Sequence, residues 1–76
     1  MKDTLQFLVT QIVDHPEEAV IEEVTENGRT VLTIKVNAED MGKIIGKQGR
    51  IIRSLRDLIK LIAAKNGTFV DVMVAE

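Results

Sequence analysis

Apolar residues open the chain at helical spacing, with Leu5, Leu8, Val9 and Ile12 falling on one face. Asp3 and Gln6 stand at the spacing of a capping box, so a first amphipathic helix is expected over about 3–14. It ends before Pro16, which disfavours helical geometry at His15 and cannot continue the hydrogen-bond ladder. Two β-rich runs, about 19–26 and 30–36, then flank Asn27-Gly28, the pair that a two-residue hairpin turn requires. In the second run Leu32, Ile34 and Val36 alternate onto one face. In the first run the turn places Ile21 opposite Ile34 but leaves Glu23 opposite Leu32. A bulge, or a position at a frayed end of the sheet, is the expected remedy for that mismatch.

Asn37 is placed to cap a short helix from Ala38 to about Ile45, with Glu39 and Asp40 in its first turn and Met41, Ile44 and Ile45 turned inward. Gly42 inside this helix costs about 1 kcal/mol relative to alanine, which implies close approach by a partner helix or by a nucleotide. A longer helix follows from about Arg50 to Lys65, with Ile51, Ile52, Leu55, Leu58, Ile59, Ile62 and Ala63 as its apolar stripe. Arg50, Arg53, Asp57 and Lys60 occupy its other side, and Arg56 lies at the margin of the stripe. Leu61 falls far from the centre of that stripe and, with Ser54, marks a candidate dimer contact. Asn66-Gly67 supplies a left-handed cap, and a last strand runs from Thr68 to Val74. The stretch between the second and third strands is long enough for a parallel crossover. The order α-β-β-α-α-β therefore predicts an α+β fold, a three-stranded mixed sheet with the middle strand central and helices on one face.

With 76 residues the chain is expected to be one domain, near the lower size at which a core sustains itself, and dimerisation would help it. It has no cysteine, which excludes disulfides and thiolate metal sites and favours a reducing, cytoplasmic setting. His15 has no second ligand or acid–base partner at usable spacing, so it reads as a solvated junction residue and no metal site is expected. No apolar run approaches the roughly 18 residues of a membrane span. The net charge of −2 changes meaning when it is divided along the chain. Residues 1–40 hold three cations against nine anions, whereas residues 41–60 hold Lys43, Lys47, Arg50, Arg53, Arg56 and Lys60 against Asp57 alone. Positive charge is thus concentrated where two glycines, Gly46 and Gly49, separate the short helix from the long one.

Those glycines leave no Cβ in the way of a close backbone approach, and the amides opening the next helix can face a phosphate. The run Ile44-Ile45-Gly46-Lys47-Gln48-Gly49-Arg50-Ile51-Ile52 resembles the signature of the KH domain, whose GxxG loop holds about four nucleotides of single-stranded nucleic acid. The resemblance extends over nearly the whole chain and implies the type II KH fold, with the core motif at about 30–75. It implies RNA contacts at Lys43, Ile44, Ile45, Gly46, Lys47, Gln48, Gly49, Arg50, Ile52 and Arg53. The amides from Gly46 to Gly49 and the cations would take phosphates, and the isoleucines, with strand residues, would form a groove for bases.

As a whole the chain is similar to the small stand-alone bacterial KH proteins, the KhpA-like family. That similarity implies a cytoplasmic, homodimeric, broad-specificity RNA chaperone or post-transcriptional regulator. It further implies pairing with a larger KhpB-like protein that also contains a KH domain, links to cell shape, and no cofactor. Other phosphate-binding patterns fail. Only three residues separate Gly42 from Gly46 where a Walker loop needs four, Gln48 stands in place of its Ser or Thr, and no G-x-G-x-x-G follows a strand. The carboxylates lack a histidine, serine or metal partner at usable spacing, so the sequence points away from an enzyme. The alternative is a KH-fold protein-interaction module with little or no RNA binding.

Overall fold

The computed structural model describes residues 1–75. Helix α1 (Lys2–Ile12) leads through a 3-10 turn at Pro16–Glu18 into strands β1 (Val20–Glu26) and β2 (Arg29–Lys35). A second 3-10 turn at Ala38–Asp40 runs into α2 (Met41–Ile45), and a third at Lys47–Gly49 into α3 (Arg50–Lys65), before β3 (Phe69–Val74) closes the sheet. Strand order is β1-β2-β3, with β1 antiparallel and β3 parallel to the central β2. The expected mixed sheet and crossover are therefore present.

Leu5 and Val9 of α1, Ile44 of α2, and Ile52, Leu55, Ile59 and Ala63 of α3 close over Ile21, Leu32, Ile34, Val70 and Val72 of the sheet. On the other face Val20, Val24, Phe69 and Met73 are exposed. Helices thus cover one face only, and that layer fixes where α2 and α3 meet.

Local signals explain several joints. Asn27 and Gly28 both take positive φ, 52° and 77°, as the hairpin turn demands. Asn37 Oδ1 accepts the Glu39 amide at 2.8 Å, capping the turn that enters α2. At the end of α3 the Gly67 amide donates to Ala64 O at 3.1 Å and the Thr68 amide to Ala63 O at 2.9 Å, the paired bonds of a Schellman cap.

Three expectations are corrected. The register from Val20↔Lys35 to Glu26↔Arg29 is unbroken, so Glu23 does face Leu32 with neither bulge nor fraying. Glu23 is exposed, as is every residue of β1 after Ile21. Helix α1 ends at Ile12 rather than near Asp14, and no side chain caps its start. Gln6, assigned to a capping box, instead donates from Nε2 to Ala19 O at 2.7 Å and accepts the Ile21 amide at 3.2 Å through Oε1, binding α1 to the edge of the sheet.

Candidate nucleic-acid interface

Helix α2 stops at Gly46, whose φ of 76° and ψ of 174° lie in a region that only glycine occupies readily. A Cβ at Gly46 would sit 2.6 Å from Ile51 Cγ1, so the loop also packs too closely there for any side chain. Gln48 and Gly49 then take left-handed values of φ, 58° and 72°, and turn the backbone into α3. The Gly46 amide donates to Gly42 O at 2.8 Å and the Gly49 amide to Gly46 O at 3.1 Å. Two of the four amides expected to face a phosphate are therefore engaged within the loop. No side chain caps α3, which leaves the positive end of its dipole open beside the turn.

Around this turn Lys47, Arg50 and Arg53 are exposed, and none meets a carboxylate among the described residues. Arg53 donates to Gln48 O at 3.2 Å and Arg50 to Gln48 Oε1 at 3.3 Å, so both guanidinium groups are drawn toward the loop. Lys43 is placed differently. Its ammonium lies 3.1 Å from Asp14 Oδ2, and that hydrogen bond raises its pKa above the ordinary lysine value.

The isoleucines are redistributed as well. Ile44 is fully buried and Ile52 nearly so, which makes them the floor on which the loop is anchored rather than walls of a groove for bases. Ile45 alone of the three is half-buried. A Cβ at Gly42 meets nothing within 4 Å, so a tightly packed partner helix does not explain that glycine. Open surface lies in front of it.

Sequence reasoning missed the support behind the site. Asp40, 1% exposed at the entry to α2, accepts the Asp14 amide at 3.1 Å and the His15 amide at 2.9 Å. Burial alone would push its carboxyl up. The two amides, helped by His15 and Lys43, outweigh that effect and hold it below the usual aspartate value. His15 is not without partners. Its Nδ1 lies 3.9 Å from Glu17 and 3.8 Å from Glu18, and its Nε2 lies 3.3 Å from Glu39. No spacing rule brings Glu39 to His15, because the contact joins two separate turns.

On α3 the apolar stripe divides. Ile52, Leu55, Ile59 and Ala63 are buried, whereas Ile51, Leu58 and Leu61 are exposed, Leu61 to 70%. With Ser54 they form a line at positions 51, 54, 58 and 61, the spacing of one helix face. No helix among the described residues is long and apolar enough to cross a membrane.

The model of the family described as KhpA/KhpB, KH domain, matches residues 2–74 of this chain. The chain is 46% identical over 65 residues to the RNA-binding protein KhpA of Clostridium acetobutylicum, covering 86% of this chain and 87% of that protein. It is 47% identical over 62 residues to the RNA-binding protein KhpA of Thermotoga maritima, covering 82% and 83%. With the RNA-binding protein KhpA of Chlamydia caviae it shares 38% identity over 76 residues, covering 100% of this chain and 97% of that protein.

Proposed function

Because this chain belongs to the KhpA/KhpB KH-domain family, we propose that it acts as one KH domain and grips the sugar–phosphate backbone of single-stranded RNA at its GxxG turn. The observation that carries this reading is the set of three exposed cations, Lys47, Arg50 and Arg53, that meet no carboxylate among the described residues and surround the turn at which α3 begins without a side-chain cap. Phosphates meet the cations and the positive end of the α3 dipole, while Gly42 keeps a side chain out of the path. Lys43 contributes once a phosphate competes with Asp14. Ile45 offers the apolar contact to bases, supported from below by Ile44 and Ile52.

Neither Phe7 nor Phe69 belongs to the loop, so the loop lacks the stacking worth about 1–3 kcal/mol per base. Binding at one copy is accordingly weak and tolerant of sequence, as suits an RNA chaperone or post-transcriptional regulator in the cytoplasm. Two copies gain through avidity. The exposed line Ile51, Ser54, Leu58 and Leu61 is the surface that supports a homodimer, and a heteromer with a KhpB-like protein belongs to the same proposal. Leu61→Glu is expected to shift sedimentation toward the monomer with circular dichroism unchanged. An unaltered oligomer would remove Leu61 from the contact.

The test of the RNA reading compares the natural chain with the double variant Lys47→Asp, Gln48→Asp in single-stranded RNA binding at two salt concentrations. Salt-sensitive binding that the double variant abolishes, with its fold intact, is the expected result. Equal binding by both chains, or none by the natural one, would make the turn structural and favour a protein-interaction module.

A further inference from the structure

At the end of α3 farthest from the loop lies an open groove of about 510 Å3, bordered by Lys60 and Ala64 of α3, Gly67 and Thr68 of the connecting turn, and Arg29 and Phe69 of the sheet. Phe69 is 68% exposed and leaves its ring uncovered at the edge of the groove. Arg29 is its register partner on β2, so the two side chains leave the same face of the sheet and both border the groove. Asp71 lies between the cations, 3.2 Å from Arg29 and 4.0 Å from Lys60. One carboxylate facing two cations leaves the groove positive.

This groove is joined to the loop by charge. Arg50, Arg53, Asp57 and Lys60 fall at helical intervals on one side of α3, three cations and one anion in a line that starts at the GxxG turn and ends at the groove. From Arg50 to Ala64 the helix rises roughly 21 Å. A strand that fills only the loop, about four nucleotides, leaves the groove empty, and a longer one can reach it.

We propose that RNA held at the GxxG turn continues along this basic side of α3 and places a base on Phe69, with Arg29 and Lys60 taking the adjacent phosphates. The inference rests on the RNA reading of the loop and adds a second, aromatic contact that the loop lacks. Small side chains at Ala64 and Gly67 leave room for a planar base against the ring. The charge line favours nucleic acid over a protein segment, because it is continuous with the cations that surround the turn.

Fluorescence anisotropy with labelled single-stranded RNA of roughly four and roughly twelve nucleotides separates the two sites. The natural chain is expected to bind the longer RNA more tightly. Phe69→Ala should lower affinity for the longer RNA about tenfold while leaving the shorter one within about twofold. Lys60→Glu should also weaken the longer RNA selectively, and it serves as a second probe if Phe69→Ala disturbs the sheet. The double variant Lys47→Asp, Gln48→Asp should lose both lengths.

Equal affinity for both lengths in the natural chain, or unchanged binding of the longer RNA in both groove variants, overturns the path and returns the groove to protein ligands. If the loop variant retains both lengths while Phe69→Ala loses them, a track leading from the loop is overturned. If the natural chain binds neither RNA, the reading of the loop has failed and the groove falls with it.

Discussion

Two turns of this molecule use nearly the same backbone. At Asn27-Gly28 and at Gln48-Gly49 an amide side chain and a glycine occupy consecutive positions of positive φ, 52° and 77° in one case, 58° and 72° in the other. The hairpin turn is satisfied by that geometry alone. Around Gly28 there is open space, and the flanking strand carries Glu22, Glu23 and Glu26. The interhelical turn adds Gly46, pressed against Ile51, and cations in place of carboxylates. Left-handed residues therefore make a turn, and what surrounds them makes it a candidate for holding phosphate.

The strongest test of that contrast is alanine at the glycines. Gly46→Ala meets both a forbidden conformation and Ile51, and is expected to cost about 2–4 kcal/mol of folding stability, read by urea denaturation. Gly28→Ala has only the conformational penalty, about 1 kcal/mol. Equal losses would show that the contact with Ile51 is relieved by relaxation. Next in size is the charge difference. Lys47→Ala combined with Arg50→Ala should weaken RNA binding and reduce the slope of log K against log salt by about 0.7 for each lost phosphate contact. An unchanged slope would detach these side chains from the backbone grip.

A smaller effect is expected at Gly42, where a methyl group has room. Gly42→Ala should stabilise the fold by about 0.5–1 kcal/mol and yet weaken RNA binding. Stabilisation with binding unchanged would mean that no nucleotide approaches there.

The pH dependence separates the two regions in another way, since the helix that leads into the interhelical turn starts at a buried carboxylate. Asp40 is held below the ordinary value of 3.8 in the folded chain. Its ionised form therefore stabilises the fold above that value, and the contribution is lost as pH falls through the lowered pKa. Thermal melts should show a fall in stability on acidification below pH 3.8 that is shallower in Asp40→Asn. Parallel curves would mean that other carboxylates control acid unfolding.

What the sequence made legible was local. The bounds of α3, the hairpin turn, the Asn37 cap and the Gly67 cap each depend on residues within a few positions of one another, and each lies where those residues place it. The two glycines and the basic cluster of the candidate site are of the same kind. Distant pairs were not legible. Asp40 with the Asp14 and His15 amides, Lys43 with Asp14, and Gln6 with Ala19 and Ile21 join elements whose approach follows only from packing. Helical periodicity also treats every apolar position alike. It had no means of separating Ile52, which supports the loop from within, from Ile51 and Leu58, which face outward.

The glutamine on α1 carries a consequence for motion. Ile21 lies on an edge strand, and its amide is closed by the Gln6 side chain rather than by another strand. Its deuterium uptake is therefore a clock for the lifting of α1 from the sheet. If the Ile21 amide exchanges at the rate of the core of β2, the helix and the sheet open only together. If it exchanges faster, α1 breathes on its own while the two-helix grip behind the loop stays closed.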